Sequence, residues 1–338
     1  ITAEGGGKEN GSCQASGAGI GSGGNALNKT TINIKGGEIT ATGGVSLDSR
    51  NHSDKWLSGA GIGSGSNVSG ETEINISGDS TIKSASGGKY GGAGIGSGSY
   101  SGSTPDNKKG AVTINITDGT IEKATGGGEY VPSSKRWYSG AGIGAGLNAG
   151  TTTINIKDNA HIVSATGGKY GGAGIGSGSG DTKNDSKKGA VTINITDGTI
   201  EKAEGKDGGA GIGSGYYGRS STVNISGNAE LKDVKGGNLA AGIGSGYDSD
   251  KVDVVIDGGT INATGGDSAA GIGSGLNSRS SVTIKSGTVN AAGNQHSNSG
   301  SSGIGGSYAD VTISGGTITA TGTSEAPAIG GGSVSISN

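Results

Sequence analysis

Phenylalanine and methionine are absent from this chain of 338 residues, while proline occurs three times, tryptophan twice and cysteine once. Each shortage removes a class of protein. With Cys13 alone, no intrachain disulfide can form, and a zinc site built from several thiolates is excluded. With hydrophobic residues at 29% and aromatics at 3%, a single compact core cannot be filled. No apolar run is long enough to span a bilayer as a helix, so membrane insertion is not expected. The net charge of −3 lacks the basic excess that nucleic acid requires. The chain starts at Ile1 and shows no signal peptide, so we expect a mature or excised piece of a larger protein whose targeting signals lie elsewhere.

What is present is glycine, 79 residues of it, in a strict repeat. A lean, Gly-rich chain without periodicity would be disordered. Here Ala-Gly-Ile-Gly-Ser-Gly recurs almost unchanged from Ala18, Ala60, Ala93, Ala141, Ala173, Ala210, Ala241 and Ala270, with degenerate copies at Ser302 and Ala328. The central isoleucines are separated by as few as 25 residues (Ile304 to Ile329) and as many as 48 (Ile95 to Ile143). Constant motifs at a variable period indicate fixed strands joined by loops of different length. A second segment of the Thr-Ile-Asn-Ile type follows each Gly motif, as at Thr31 to Ile34 and Thr153 to Ile156. A Gly or Asp turn then leads to a third, such as Ile39 to Ala41 or Ile261 to Ala263. β-branched residues at period two, and no helical period, predict three short strands per coil. We therefore expect an all-β single-stranded parallel β-helix, a β-solenoid of about nine to ten coils in one domain over residues 1–338. It should be right-handed, with three parallel sheets around a triangular core, and about 45–50 Å long.

The repeat also fixes which side chains face out. In the second strand, Ile32 and Ile34 point inward and Asn33 outward, so Asn33, Asn75, Asn115, Asn155, Asn194 and Asn224 form a row. That row is either a polar platform or an amide ladder bonded along the axis. In the Gly strand the outward positions are all glycine, which offers either a smooth face for a ligand or a sharp, tightly packed bend. Asp118, Asp158, Asp197 and Asp257 occupy equivalent turns. They read as turn-forming residues, and a stacked Asp column could take Ca²⁺, although Gly36, Gly78, Gly227, Ser286 and Gly315 interrupt it. No other cofactor is indicated.

Insertions in repeat proteins gather on one side and often build the binding surface. The loop before the Gly strand is longest at Val45 to Ser58 and Glu129 to Ser139, and these loops hold both tryptophans. Trp56, Tyr90, Trp137 and Tyr170 thus fall on one edge in four successive coils, with Tyr130 and Tyr138 beside Trp137. Aromatic faces stack on the apolar faces of pyranose rings, and a coil step is comparable to one sugar unit. His52 and Arg136 could orient such a ligand. The rings could instead close small satellite clusters under long loops. A second set, Tyr100, Tyr216, Tyr217, Tyr247 and Tyr308, follows the Gly strand on its other side. For catalysis, the candidates are loop carboxylates, Asp48 or Asp54 paired with Glu129.

With its Ala-Gly-Ile-Gly-Ser-Gly motif and strings such as Thr312-Ile313-Ser314-Gly315-Gly316-Thr317-Ile318-Thr319-Ala320-Thr321-Gly322, the chain resembles Gly-rich β-helical repeat regions of large secreted or wall-attached proteins of Gram-positive gut bacteria. The resemblance covers essentially the whole chain and implies extracellular display, but it carries over no catalytic residue. Three functional readings follow. One is a non-catalytic glycan-binding or adhesive module that takes a glycan or host surface glycoprotein. Another is a glycoside hydrolase or polysaccharide lyase. The third is a passive stalk or an adhesin for a protein such as mucin or immunoglobulin.

Overall fold

The computed structural model describes residues 1–7, 15–48, 55–100, 108–131, 136–180, 189–294, 300–323 and 325–337. Cys13, His52, Asp54 and His296 lie outside the described residues, and only the strand positions of Asp48 and Arg136 are described. The chain is a parallel β-helix. Ten two-residue Ile-Gly strands, from Ile20–Gly21 to Ile329–Gly330, pair in chain order in one parallel sheet. The isoleucines that mark the repeat in the sequence thus stack as one unbroken column.

Three strands per coil are present, but the second and third share one sheet of eighteen strands instead of forming two sheets. In several coils the backbone stays paired through the Gly turn, so that Thr30–Thr42, Val252–Thr264 and Ser280–Ala292 are continuous. In others the turn breaks the ladder, as between Val112–Ile116 and Thr120–Ile121. Register is exact in type: Ile74, Ile114, Ile154, Ile193, Val223, Val254, Val282 and Val311 stack in one column. Ile82, Ile121, Ile162, Ile200, Leu231, Ile261 and Val289 form another. The inner members of both columns are buried. At about 1.5–3 kcal/mol for each fully buried aliphatic side chain, a narrow core repeated in every coil offsets the scarcity of apolar residues.

The asparagine row is an amide ladder. Asn75 Nδ2 donates to Asn33 Oδ1 at 2.9 Å, and the same bond links Asn115 to Asn75, Asn155 to Asn115, Asn194 to Asn155 and Asn224 to Asn194 at 2.8–2.9 Å.

The Gly strand is a closed corner, not an open face. In the inner coils its residues are buried, as Ala60 to Ser66 show. The Ala60 amide donates to the Ser64 carbonyl at 3.0 Å, and Ala93 and Ala173 bond to Ser97 and Ser177 in the same way, folding the chain back within five residues. The glycine after each isoleucine has φ between 136° and 140° at Gly63, Gly96, Gly144, Gly176, Gly213 and Gly244. A β-carbon on Gly96 would lie 1.8 Å from the Gly144 carbonyl oxygen of the next coil. The buried serine of the motif also serves the neighbouring coil: Ser97 Oγ accepts the Gly146 amide and Ser177 Oγ the Gly215 amide, both at 2.8 Å. The smooth ligand-bearing face considered from the sequence is therefore absent, because backbone of neighbouring segments covers it.

Candidate ligand-binding groove

Two long loops fold as antiparallel β-hairpins on the edge leading into the Gly strand. Val45–Asp48 pairs with Lys55–Ser58, and Gly128–Val131 pairs with Arg136–Ser139. Alternation along a strand puts neighbours on opposite faces, and the second hairpin uses both. Val131 and Tyr138 are buried with Tyr90 and Leu147 in a satellite core, against which Val45 and Trp56 pack. Tyr130 and Trp137 oppose each other across the strands, with ring centroids 4.2 Å apart.

The expected aromatic row divides accordingly. Trp56 meets Tyr90 edge-on at 4.5 Å, and Tyr90 meets Tyr138 at 6.3 Å. Tyr90 and Tyr138 are only 4% and 6% exposed, so they offer no ring face to a ligand. Their packing is the satellite cluster that the sequence allowed as the alternative. Trp137 is 44% exposed and contacts Tyr170 at 4.5 Å.

Beyond Tyr170 the row continues through residues that the sequence had placed on the other side of the Gly strand. The Tyr216 amide donates to the Gly171 carbonyl and the Tyr247 amide to the Gly208 carbonyl, both at 2.8 Å. Each tyrosine is thereby seated on the loop of the preceding coil. Gly171 makes room for this, since a β-carbon there would lie 2.4 Å from Tyr216 Cβ. The rings of Tyr216 and Tyr247 are parallel within 6° at 5.2 Å, and Tyr217 stacks on Tyr216 at 4.0 Å.

Together these rings wall a groove of about 230 Å³, lined by Trp137, Tyr170, Asp207, Gly208, Tyr216, Asn238, Leu239 and Tyr247. Burial, with the hydrogen bond that its hydroxyl donates to Tyr217, pushes Tyr216 above the ordinary tyrosine range. Burial also raises the Asp207 carboxyl, while the ammonium groups of Lys169 and Lys206 pull it down. Lys169 lies over the Tyr170 ring at 5.1 Å, as Lys89 does over Tyr90 at 5.0 Å. Leu239 has φ 64°, where Gly91 and Gly171 stand at the matching loop position of other coils with φ 86° and 97°. A leucine held in the left-handed region is uncommon and points to a role for its side chain. Asp207, Asn238 and Leu239 were not singled out from the sequence. The one available signal was a leucine two residues before Ala241, where glycine precedes Ala93 and Ala173.

The remaining expected residues fall elsewhere. Tyr100 is buried and its hydroxyl donates to the Val68 carbonyl at 2.6 Å, so it belongs to the core. Tyr308 is 61% exposed, apart from the groove. Glu129 is exposed in the second hairpin, two coils from the hairpin that contains Asp48. The turn aspartates bond to the adjacent coil: Asp118 accepts from Asn159 Nδ2 at 3.2 Å, Asp197 from the Asn228 amide at 2.9 Å and Asp257 from the Ser286 hydroxyl at 3.0 Å. Among the described residues, no group of three His, Cys, Asp or Glu side chains is placed to hold a metal ion.

Comparison with known proteins agrees with the architecture. A family model described as Beta helix repeat matches residues 32–66, 74–99, 114–147, 193–216, 254–276, 282–308 and 311–333, more than half of the chain. No curated protein and no solved structure matches it. The matched segments begin at second strands and most run on to the following Gly motif, so the repeat seen in the sequence, the coil seen in the fold and the family unit coincide, and the chain belongs to the Beta helix repeat family.

Proposed function

We propose that the chain is a non-catalytic carbohydrate-binding module, displayed outside the cell, which takes a glycan or a host surface glycoprotein in the groove of Trp137, Tyr170, Tyr216 and Tyr247. The observation that carries this reading is the convergence of four aromatic side chains from successive coils on one partly open groove with few polar groups. A ring can stack on the C–H face of a sugar, and Asp207 and Asn238 can accept and donate bonds to hydroxyl groups at the rim. This is the composition expected of a small-ligand site, apolar walls with a few orienting polar groups. Relative to the sequence expectation, the proposed site moves along the axis, away from Trp56 and Tyr90 and towards Tyr247.

The test is a glycan array probed with the intact chain and with a Trp137→Ala/Tyr216→Ala double variant. Binding by the intact chain that falls at least tenfold in the variant supports the reading. An array without binding, or binding untouched by the double variant, contradicts it.

A further inference from the structure

We propose that the groove reads an extended oligosaccharide laid parallel to the solenoid axis, with one sugar unit per coil and about four units in contact. The inference rests on the carbohydrate reading above and adds to it the shape, direction and length of the ligand.

Its basis is where the walls come from. Trp137, Tyr170, Asp207 and Leu239 sit in the loops leading to Ile143, Ile175, Ile212 and Ile243, which are consecutive members of one parallel ladder. Adjacent strands of a sheet lie about 4.8 Å apart, so these four loops span about 14 Å along the axis. The groove therefore runs along the axis across four coils and is open along one side, which suits an extended chain lying on its rings.

The row is also bounded. Towards the N-terminus it stops at Trp137, because Tyr138 and Tyr90 turn inward and are buried. Towards the C-terminus the next loop carries Ser268 where Leu239 stands, and it contributes no side chain to the groove. Leu239 itself marks the last coil. The backbone there favours glycine, as at Gly91 and Gly171, yet a leucine extends the apolar wall by one more step. A site for a single terminal sugar would need one pocket in one coil and would have no use for four.

The experiment is calorimetric titration of the full chain with cello-, xylo-, manno- and chito-oligosaccharides of one to six units. For a series that binds, affinity should rise at least tenfold from monomer to tetramer and then level off. Leu239→Gly, which substitutes the residue that this backbone accepts most easily, should move the plateau to three units with the circular dichroism spectrum unchanged, and Tyr247→Ala should do the same. A monomer binding as tightly as the hexamer, or a plateau unmoved in both variants, overturns the extended-chain proposal and leaves the carbohydrate reading standing. No binding at any length in all four series overturns both.

Discussion

Gly144 and Gly36 are chemically the same residue in very different positions. At Gly144, φ is 136° and a β-carbon would lie 2.0 Å from the Gly176 carbonyl oxygen, whereas at Gly36 nothing lies within 4 Å of that position. Gly144→Ala should therefore lower unfolding stability by about 3 kcal/mol or more, combining a backbone conformation closed to side chains with a steric clash. Gly36→Ala should change it by less than about 1 kcal/mol; denaturant midpoints at constant slope distinguish the two. Leu239 is the converse case. Leu239→Gly relieves a left-handed leucine, worth about 1–2 kcal/mol, but gives up a half-buried apolar side chain of similar value. Its stability should stay within about 1 kcal/mol of the parent while ligand binding weakens. Binding and stability moving together would show that Leu239 only fills space.

At the scale of elements, the two hairpins look alike in sequence and differ in use. Trp56→Ala should cost about 1–3 kcal/mol through its edge contact with Tyr90 and leave binding intact. Trp137→Ala, which gives up its contacts with Tyr130 and Tyr170 at a half-exposed position, should cost a similar amount of stability but also remove binding, as paired thermal melts and titrations would show. The strands were legible from the sequence because period two and tight Gly turns are local signals, and Ile32, Asn33 and Ile34 already stated which side was which. The hairpins were read only as long loops, since neither carries an Asn-Gly or Asp-Gly turn. The aromatic edge was half legible. Trp137 and Tyr170 were found by composition, but Tyr216 and Tyr247 reach the same groove only through backbone bonds to Gly171 and Gly208 in the preceding coil. That contact joins residues 45 and 39 positions apart (Gly171 to Tyr216, Gly208 to Tyr247), and a variable coil length hides it from the sequence. The Gly strand could be read either way until its neighbours were in place, because what covers it is backbone from other coils.

At the scale of the whole molecule, coil rests on coil through the aliphatic columns, reinforced by the amide ladder from Asn33 to Asn224 and by serine bonds, so stability is distributed along the axis. Ion pairs add to the outer surface. The Lys29 ammonium holds Glu73 below the usual carboxylate range, and Lys232 does the same for Glu201, helped by His161. A depressed folded-state pKa stabilises only while the group is ionised. Their contribution is therefore complete above the unfolded glutamate value of about 4.3 and is lost as pH falls through and below it. Melting temperature should accordingly be flat from pH 7 to about 5 and decline below about 4, with a smaller decline in high salt because these groups are exposed. At the groove, this regular stack turns several rings towards solvent, and the chain's two tryptophans report on it separately. Trp56→Phe leaves Trp137 as the single indole, at the groove; Trp137→Phe leaves Trp56, in the satellite core. The most direct measurement is the emission of each variant during titration with the hexasaccharides of the cello, xylo, manno and chito series. Binding in the groove predicts a saturable shift in the variant that retains Trp137 and none in the variant that retains Trp56. A shift confined to Trp56, or none in either, would contradict it.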